Sequence, residues 1–450
     1  MREGNLEAPK RHPYDWQSPD FTDPARLEGE MRRVFDLCHG CRRCFNLCDS
    51  FPRLFDLVDK AGEAEVAGVA AADFGRVVEA CTLCDLCFMT KCPYVPPHPF
   101  AIDFPHLMVR ARAARLNGGE GGAMERQLAE TDRNGRLARP VAGLANWATG
   151  RGNRLTRPVL EAVAGVHRDA ALPRYAGRTL TMQAAASDPA VNPAAPAFGR
   201  KAVLFATCFA NYNTPAIGLA ARAVLAHNGV ETRLAYPGCC GMPQLEQGDL
   251  ARVAAKARTT AAALLPLVDE GWDVVAPVPS CALMMKFEWP LILPDDPDIA
   301  RLAGAVYDIS EYVVDIAAKE GLTPGLRPLA GGVALHLACH ARAQNMGPKA
   351  AEMLRLLPDT PLTVVERCSG HGGAWGVRKD NFPVALRVGK PTVRQVAKAG
   401  AAHLCSECPL AGAHIAQGLE AEDPAHPPPE PLHPIQIVAR AYGLPEGEPQ

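Results

Sequence analysis

The sequence predicts an α+β multidomain protein in which an N-terminal helical domain precedes two related α/β modules. Three observations support this fold class. Sixteen cysteines include two groups of four within one short N-terminal region, and the apolar residues around these groups recur at helical spacing. The C-terminal half alternates β-like and helical stretches in two copies. With 450 residues, 48% of them hydrophobic, the chain suits two to four domains with ample core.

Residues 1–30 are polar and interrupted by prolines, which predicts an extended N-terminal arm. Residues 31–115 are predicted to form a helical domain that includes both cysteine groups. Apolar residues with helical spacing begin just before it and repeat further on. They are Leu27, Met31, Val34 and Phe35, and then Phe74, Val77, Val78 and Cys81.

The two cysteine groups have the spacing of iron-sulfur ligands. They are Cys38, Cys41, Cys44 and Cys48, and then Cys81, Cys84, Cys87 and Cys92, the last followed by Pro93. A C-x2-C-x2-C run supplies three corners of a [4Fe-4S] cluster, and a distant fourth cysteine, normally exchanged between two such runs, supplies the last. The pattern therefore predicts two [4Fe-4S] clusters in a ferredoxin-type domain. Cys38, Cys41, Cys44 and Cys92 would hold one cluster, and Cys48, Cys81, Cys84 and Cys87 the other.

Zinc and disulfides are the alternatives for these cysteines. Zinc takes C-x2-C pairs but usually two pairs that total four thiolates, so the triplet pattern favours iron-sulfur clusters. The polar N-terminus has no apolar core of a signal peptide, which predicts a cytoplasmic protein with reduced thiols. No apolar run approaches the roughly eighteen residues that span a bilayer. Any membrane contact is expected to be peripheral, at the inner membrane face.

Charge narrows the range of partners. The formal net charge is -2, which argues against nucleic-acid binding through bulk electrostatics.

Residues 116–199 are predicted to be an arginine-rich helical segment followed by an Ala/Pro linker. From Leu107 to Arg178 there are thirteen arginines, no lysine and six acidic residues. This segment is either a solvated helical face or a docking surface for an acidic partner or an anionic membrane. Its apolar contacts would be Leu144, Trp147, Leu155, Val159 and Leu160.

The remaining chain contains an internal duplication, which divides it into residues 200–328 and 329–450. Cys208 matches Cys339 at a displacement of 131, Cys239 matches Cys368 at 129, and Cys281 matches Cys405 at 124. Each copy alternates predicted strands with helices, which is typical of parallel α/β sheets. The predicted strands are 203–206, 272–276, 333–337 and 362–365, and the predicted helices are 215–228, 250–268 and 435–441. An acidic, proline-rich stretch at 419–434 is expected to be an exposed tail.

The sequence PGCCGMP at 237–243 resembles the cysteine-rich CCG module of proteins related to heterodisulfide reductase. A two-cluster ferredoxin domain followed by two CCG modules is also similar to the iron-sulfur subunits of this family, such as that of anaerobic glycerol-3-phosphate dehydrogenase. The resemblance implies a metal or iron-sulfur site in each module. Its ligands would be Cys208, Cys239, Cys240 and Cys281 in the first CCG module, and Cys339, Cys368, Cys405 and Cys408 in the second.

The family pattern has five cysteines per module, and each module here retains four. The first module lacks the second cysteine of the closing C-x2-C, where Met284 stands, and the second has Ser369 in place of the second cysteine of the CCG pair. Four thiolates suffice for an ordinary cubane or for tetrahedral zinc. The expected cofactors are therefore two [4Fe-4S] clusters with further iron-sulfur clusters or zinc at the CCG sites.

Three histidines lie near the cysteines of the second module, namely His336, His340 and His371. Imidazole beside a cluster can bind metal, carry protons or donate hydrogen bonds, and it can also simply pack in the core. The glycines beside His371 leave room for substrate or water, so His371 is the candidate catalytic residue for proton handling.

These features predict an iron-sulfur electron-transfer subunit of an oxidoreductase. It would relay electrons between a flavoprotein or other redox partner and a quinone, a thiol-disulfide couple or another protein. Two alternatives stay open at this stage. The CCG half could itself reduce a small disulfide, as in heterodisulfide reductase, or it could be a zinc-bound scaffold beside a redox-active ferredoxin domain.

Overall fold

The computed structural model describes residues 7–120 and 122–446, with the side chain of residue 123 left out. The N-terminal part is helical, as predicted. Its first helix begins at Pro24, where the Asp23 carboxylate accepts a hydrogen bond from the Arg26 amide at 2.8 Å. The α-helices are Pro24–Cys41, Ser50–Ala61, Phe74–Ala80 and Phe104–Asn117, with 3-10 segments Pro19–Phe21, Gly62–Gly68 and Ala71–Asp73 and a π-helical turn Cys87–Lys91.

The apolar face predicted for the first helix is confirmed. Leu27, Met31, Val34 and Phe35 are all buried, and Phe35 packs edge-on against Phe74 with ring centroids 5.1 Å apart. The prediction of an extended arm over residues 1–30 is wrong at its end, because a short 3-10 segment and the first turns of this helix lie within it. Residues 1–6 lie outside the described part of the chain.

The arginine-rich segment is helical over most of its length. Its α-helices are Ala123–Leu128, Thr131–Ala138, Ala142–Thr149, Arg157–Ala164 and Leu180–Ala184, with a 3-10 turn Arg139–Val141. No helix in the described ranges is long and apolar enough to cross a membrane.

Two parallel sheets form the C-terminal half. The first has the order β2-β1-β3-β4, with β1 Lys201–Phe205, β2 Glu231–Ala235, β3 Asp273–Ala276 and β4 Val306–Asp308. The second has the order β6-β5-β7, with β5 Val333–His336, β6 Leu362–Val365 and β7 His403–Ser406. The matching orders β2-β1-β3 and β6-β5-β7 confirm that the two modules are copies of one unit.

Helices cover both sheets. In the first module they are Cys208–Tyr212, Pro215–His227, Met242–Leu245, Leu250–Asp269, Pro279–Leu283, Trp289–Ile292, Pro297–Gly304 and Ile309–Lys319, with a π-helical turn Met284–Glu288. In the second they are Cys339–Ala343, Lys349–Leu354, Phe382–Ala399, Pro409–Glu422 and Pro434–Tyr442, with a 3-10 turn Trp375–Val377. The four predicted strands and three predicted helices are confirmed to within two residues. The expected exposed tail is wrong at both ends, since residues 419–422 belong to a helix and Leu432, His433 and Pro434 are buried.

One correspondence between the two copies is wrong. Cys281 lies in the first turn of helix Pro279–Leu283, whereas Cys405 lies inside strand β7. Strand β3 of the first copy corresponds to β7 of the second. The residue of β3 at the position of Cys405 is Val275, not Cys281. The two copies therefore contain the same number of cysteines but place one of them in different elements.

The N-terminal arm joins the helical domain to the first α/β module through Arg11. The guanidinium contacts Asp85 at 2.7 Å, Asp103 at 3.0 Å and Glu288 at 3.1 Å, and it lies 4.4 Å from the centre of the Phe88 ring. Burial alone would lower the pKa of Arg11, but the three carboxylates raise it well above its ordinary value. One arginine thus compensates acidic groups from two parts of the fold.

We predict that Arg11→Met lowers the free energy of unfolding by about 3–5 kcal/mol, because it removes the ion pair of the buried Asp85 carboxylate. The measurement is urea unfolding of the anaerobic protein, followed by tryptophan fluorescence. Arg26→Met is the matched control, because the Arg26–Asp20 pair is exposed on both sides and is worth about 0–1 kcal/mol. Equal unfolding midpoints for the two variants would contradict this role of Arg11.

Candidate metal centres

The structure gathers the first predicted ligand set around one small cavity. This set of thiols, called set 1, consists of Cys38, Cys41, Cys44 and Cys92, and all four line the cavity. Burial raises the pKa of Cys38 well above its usual value, and the other three thiols raise it further. Cys92 reaches set 1 from the second cysteine group through the π-helical turn Cys87–Lys91, whose last hydrogen bond runs from the Cys92 amide to the Cys87 carbonyl.

The second ligand set, called set 2, is buried more deeply. It consists of Cys48, Cys81, Cys84 and Cys87. Burial raises the pKa of Cys87 well above its usual value, and Cys84, Cys81 and Cys48 add to this effect. Cys48 therefore lies with the cysteines of the other group, as in the exchanged arrangement. The amides of Ser50 and Phe51, at the start of a helix, donate to Cys48 and offset part of the rise in its pKa.

Basic residues beside set 1 differ in what they face. Burial raises the pKa of Cys44 to about 12, while Lys91 and Arg43 act in the opposite direction. Arg42 instead pairs with Asp59 and lies over the Phe55 ring at 5.1 Å from its centre. Two cations are thus placed to offset the negative charge of thiolates in set 1.

The first CCG site, called site 1, forms where three parallel strands end. Cys208 follows β1, Cys239 and Cys240 follow β2, and Cys281 follows β3, so all four come from loops at the carboxyl edge of the sheet. A hydrogen bond with Cys239, together with burial, raises the pKa of Cys208. Hydrogen bonds with Cys208 and Cys240 lower the pKa of Cys239 well below its usual value. The four thiols of site 1 therefore lie in contact one after another, from Cys208 through Cys239 and Cys240 to Cys281.

Site 1 also includes polar residues from the arginine-rich segment that the sequence did not reveal. The Thr131 hydroxyl lowers the pKa of both Cys208 and Cys239. The next residue, Asp132, accepts a hydrogen bond from the Cys239 amide at 2.9 Å and forms an ion pair with Lys256 at 3.4 Å. An acidic residue at the start of a helix inside a basic segment was the available signal.

The second CCG site, called site 2, brings together three of its four predicted cysteines. They are Cys339 after β5, Cys368 after β6 and Cys408 after β7. Burial raises the pKa of Cys339, and Cys368 and Cys408 raise it further. The Gly370 amide donates to the Cys368 sulfur at 3.3 Å, and Gly370 has φ +81. A Cβ at Gly370 would lie 2.0 Å from the Ala385 carbonyl oxygen, so this turn requires glycine.

The fourth predicted cysteine of site 2 lies elsewhere. Cys405 pairs with Leu335 in the sheet, is fully buried and packs in the hydrophobic cluster that includes Ile435 and Val438 of the closing helix, Pro434–Tyr442. Burial and the nearby Glu407 raise the pKa of Cys405, with no contribution from Cys339, Cys368 or Cys408. The structure therefore does not bring Cys405 to site 2.

The histidines of the second module have three different environments. The His336 Nε2 lies 3.1 Å from the Arg367 carbonyl and its Nδ1 lies 3.0 Å from the Ser406 hydroxyl, so this ring is a satisfied core residue. Since a carbonyl only accepts, the neutral His336 donates from Nε2. Burial lowers the pKa of His336 to about 4.

His340 connects three parts of the fold. Its Nε2 donates to the Leu83 carbonyl at 3.1 Å, and its Nδ1 lies 2.8 Å from the Ser280 hydroxyl. Leu83 belongs to the loop of set 2, Ser280 precedes Cys281 of site 1, and His340 itself follows Cys339 of site 2. One imidazole thus fixes the relative positions of segments that carry three of the thiol sets.

His371, the candidate for proton handling, is half-buried, and its ring lies 6.1 Å from that of His414. Burial, together with His414, lowers the pKa of His371 to about 3, so the imidazole is neutral near pH 7. Among the described residues, its Nε2 has no hydrogen-bond partner, and neither has the Nε2 of His414.

The thiol sets lie next to one another. Cys44 of set 1 acts on the pKa of Cys87 in set 2. Cys339 and Cys368 of site 2 act on the pKa of Cys84 in set 2. Electrostatic proximity therefore runs continuously from set 1 through set 2 to site 2.

Site 2 is also connected to site 1, through Glu246. The Glu246 carboxylate contributes to the raised pKa of Cys408, and Cys239 in turn contributes to the raised pKa of Glu246. Burial raises the pKa of Glu246 to about 7, while Arg112 opposes the rise. The four thiol sets thus form a single series.

Within residues 7–120 and 122–446, no group of three or more cysteine, histidine, aspartate or glutamate side chains is close enough to hold a single metal ion. In a four-iron cluster each thiolate binds a different iron atom, so its ligands do not meet at one point. Set 1, set 2 and site 1 each supply the four thiols that such a cluster takes.

Comparisons with known proteins support the duplicated architecture. The CCG family model, described as a cysteine-rich domain, matches residues 202–286 and 333–416. One subunit of anaerobic glycerol-3-phosphate dehydrogenase from Escherichia coli K12 is 27% identical over 321 residues, which cover 70% of this chain and 76% of that protein, and its counterpart from strain O157:H7 matches equally. One subunit of the CoM/CoB fumarate reductase from Methanothermobacter marburgensis is 26% identical over 230 residues, covering 50% of this chain and 43% of that protein.

We predict that cysteine pairs from one set lose no more iron than single variants do. Cys38→Ala and Cys38→Ala/Cys92→Ala should each lose about four irons, because both residues serve one cluster. Cys38→Ala/Cys48→Ala should lose about eight, because those residues serve different clusters despite their proximity in sequence. Iron and acid-labile sulfide per chain are measured after anaerobic purification. The reverse pattern would show that each group keeps its own fourth cysteine.

Proposed function

We propose, from the premise that this chain carries two CCG cysteine-rich domains and is similar to one subunit of anaerobic glycerol-3-phosphate dehydrogenase, that it is an iron-sulfur electron-transfer subunit of an oxidoreductase. The observation that carries the proposal is the unbroken series of thiol sets through the protein, from set 1 to set 2 and on to site 2. When iron-sulfur clusters are bound next to one another in such a series, they supply the means of passing electrons one at a time.

The chemistry of the buried thiols supports a cationic cofactor at each set. Burial and mutual repulsion disfavour several thiolates in one place, and an iron-sulfur core removes the penalty by binding them in their charged form. In this proposal set 1 and set 2 each hold a [4Fe-4S] cluster. Sites 1 and 2 hold further iron-sulfur clusters, for which zinc is the alternative.

A protein partner is proposed to exchange electrons at set 1. All four cysteines of set 1 are partly exposed, whereas Cys81 and Cys87 of set 2 are buried. The neighbouring Phe45 is 56% exposed, and the cations Arg43 and Lys91 lie near Cys44. An exposed aromatic residue among cations suits an acidic docking surface on a flavoprotein dehydrogenase. The acceptor at the other end would be a quinone, a thiol-disulfide couple or another protein.

We also propose that the arginine-rich segment binds the membrane surface. The segment carries large apolar side chains that are at least half exposed, namely Leu137, Val141, Leu144, Trp147, Leu155, Val159 and Val163. Exposed arginines accompany them at Arg136, Arg154 and Arg178. Apolar side chains with tryptophan beside arginines match the interface of an anionic bilayer, where lipid covers the apolar groups and phosphates meet the cations. This surface favours an inner-membrane acceptor such as a quinone.

The first prediction of this proposal concerns metal content. Anaerobically purified protein should contain roughly twelve to sixteen irons with matching acid-labile sulfide, because the CCG sites hold clusters as well. About eight irons with stoichiometric zinc would instead identify the CCG half as a scaffold.

The same preparation separates electron transfer from disulfide reduction. The dithionite-reduced protein should keep its clusters reduced when mixed with small disulfides alone, and absorbance of the clusters reports this. Rapid oxidation by a disulfide without a partner protein would favour the reductase alternative.

The second prediction concerns the membrane surface. The protein should sediment with phosphatidylglycerol-containing vesicles, and Leu144→Ser/Leu155→Ser should weaken binding by at least about tenfold, because each leucine contributes roughly 1.5–3 kcal/mol when fully buried. Phe198→Ser is the matched control, because Phe198 is 58% exposed in the linker outside this surface. Binding should also fall with salt. Equal weakening by the control, or no sedimentation of the wild type, would contradict the proposal.

A further inference from the structure

The two CCG sites differ in how many thiols they present. Site 1 has four cysteines in contact, while at site 2 the fourth, Cys405, lies in strand β7 within the hydrophobic core. Alternate residues of a strand point to opposite faces of the sheet. Leu404 packs with Val365 and Ile415 on one face, and Cys405 packs on the other, against the closing helix. A move of Cys405 to site 2 would require β7 to change its register.

The first module shows that this strand position is a core position. Its structural counterpart of Cys405 is Val275, which is also fully buried and also belongs to the same hydrophobic cluster. A thiol among aliphatic side chains behaves as a small apolar group. Cys405 is thus accounted for by packing.

We infer that site 2 holds its cluster through Cys339, Cys368 and Cys408 alone, and that the fourth iron corner takes a small oxygen-donor ligand, either water or the oxygen of a substrate. This inference rests on the proposed function, since it assumes a cluster at site 2. It makes site 2 the place in the series where a small molecule meets iron directly.

Two imidazoles of the second module each have a buried ring nitrogen that lacks a hydrogen-bond partner among the residues that the structure describes. His371 follows Cys368 by three residues, and His414 lies in the helix that begins directly after Cys408. Their Nε2 atoms are buried without a hydrogen-bond partner in the described part of the chain. A buried polar atom without a partner costs about 1–3 kcal/mol, so a polar ligand or water is expected beside each ring. Oxygen ligands accept and donate hydrogen bonds to imidazole, which sulfur does only weakly.

Ser369 and Thr392 lie near Cys368 but do not change the set of three thiols at site 2. Ser369 occupies the place of the missing second cysteine, and its hydroxyl accepts from the His371 amide at 3.4 Å. The Cys368 carbonyl accepts from the Thr392 hydroxyl, which fixes the loop that carries Cys368. These contacts hold the loop in place around a fixed three-thiol arrangement.

The first test removes thiols one at a time and measures metal per chain. Cys405→Val and Cys405→Ala should keep the full metal content, and Cys408→Ala should lose about four irons. Valine is the residue at the equivalent strand position of the first module, so Cys405→Val preserves packing if alanine destabilises the core. Loss of metal from Cys405→Val equal to that from Cys408→Ala would overturn the inference.

Counting iron and zinc together separates this result from the proposed function. If site 2 holds zinc, the proposed function of the CCG half fails, while the metal retained by Cys405→Val still identifies the three-thiol set. If site 2 holds iron, both stand.

The second test probes the open corner by spectroscopy. One-electron oxidation by ferricyanide of a [4Fe-4S]2+ cluster with one iron not bound by thiolate releases that iron as Fe2+ and leaves a [3Fe-4S]+ cluster, while ferricyanide becomes ferrocyanide. Wild-type protein and Cys405→Val should both give the paramagnetic signal of the three-iron cluster, and Cys408→Ala should lack it. The reduced wild type in 17O-enriched water should show a broadened signal from bound oxygen. Absence of both effects would show that a protein side chain closes the fourth corner.

Discussion

Thiols that are buried close together impose the constraint on which the rest of this structure depends. A thiolate in a low-dielectric interior is costly, and two neighbouring thiolates are more so, which the raised pKa values of Cys38, Cys87 and Cys339 express. The fold places these groups together although packing alone would separate them. A cationic inorganic core resolves the conflict, so the architecture is best understood as a protein shaped around the charge of its cofactors.

The surrounding scaffold meets this constraint with rigid elements. Parallel strands end at a common edge, so short loops from each sheet deliver cysteines to one place without long excursions. The helical domain is then fixed against both sheets by Arg11 and by His340. Electron transfer depends steeply on the distance between centres, and these two sets of polar contacts help to fix the positions of the thiol sets.

Much of this architecture was predictable because cysteine spacing and apolar periodicity are local signals. The first helix and the central strands β1, β3 and β5 followed from such patterns. The missed strands β2, β4 and β7 are all edge strands. Strand β4 has only three residues, and β2 carries exposed or half-exposed residues throughout, so neither has the apolar run that identifies a central strand.

The cysteines were predictable from their spacing and from the family resemblance, but the polar residues around them were not. Thr131 and Asp132 reach site 1 from a segment more than 70 residues away, and no spacing rule connects them to it. The prediction that Cys405 belongs to site 2 was wrong for a different reason. Its three-residue distance from Cys408 has the form of a ligand pair, but strand β7 continues through Cys405 and ends only at Ser406.

The two copies show how a duplicated fold can diverge in chemistry while its sheet is retained. Site 1 draws its last thiol, Cys281, from the first turn of a helix, whereas site 2 draws Cys408 from the residue before the equivalent helix. The strand order is unchanged, so the difference lies in a few residues at one edge. Since a strand residue cannot leave its face without shifting the register of its neighbours, Cys405 is bound to the core as firmly as Val275 is. The number of thiols at each site is therefore decided by where a strand stops, and not by how many cysteines the module contains.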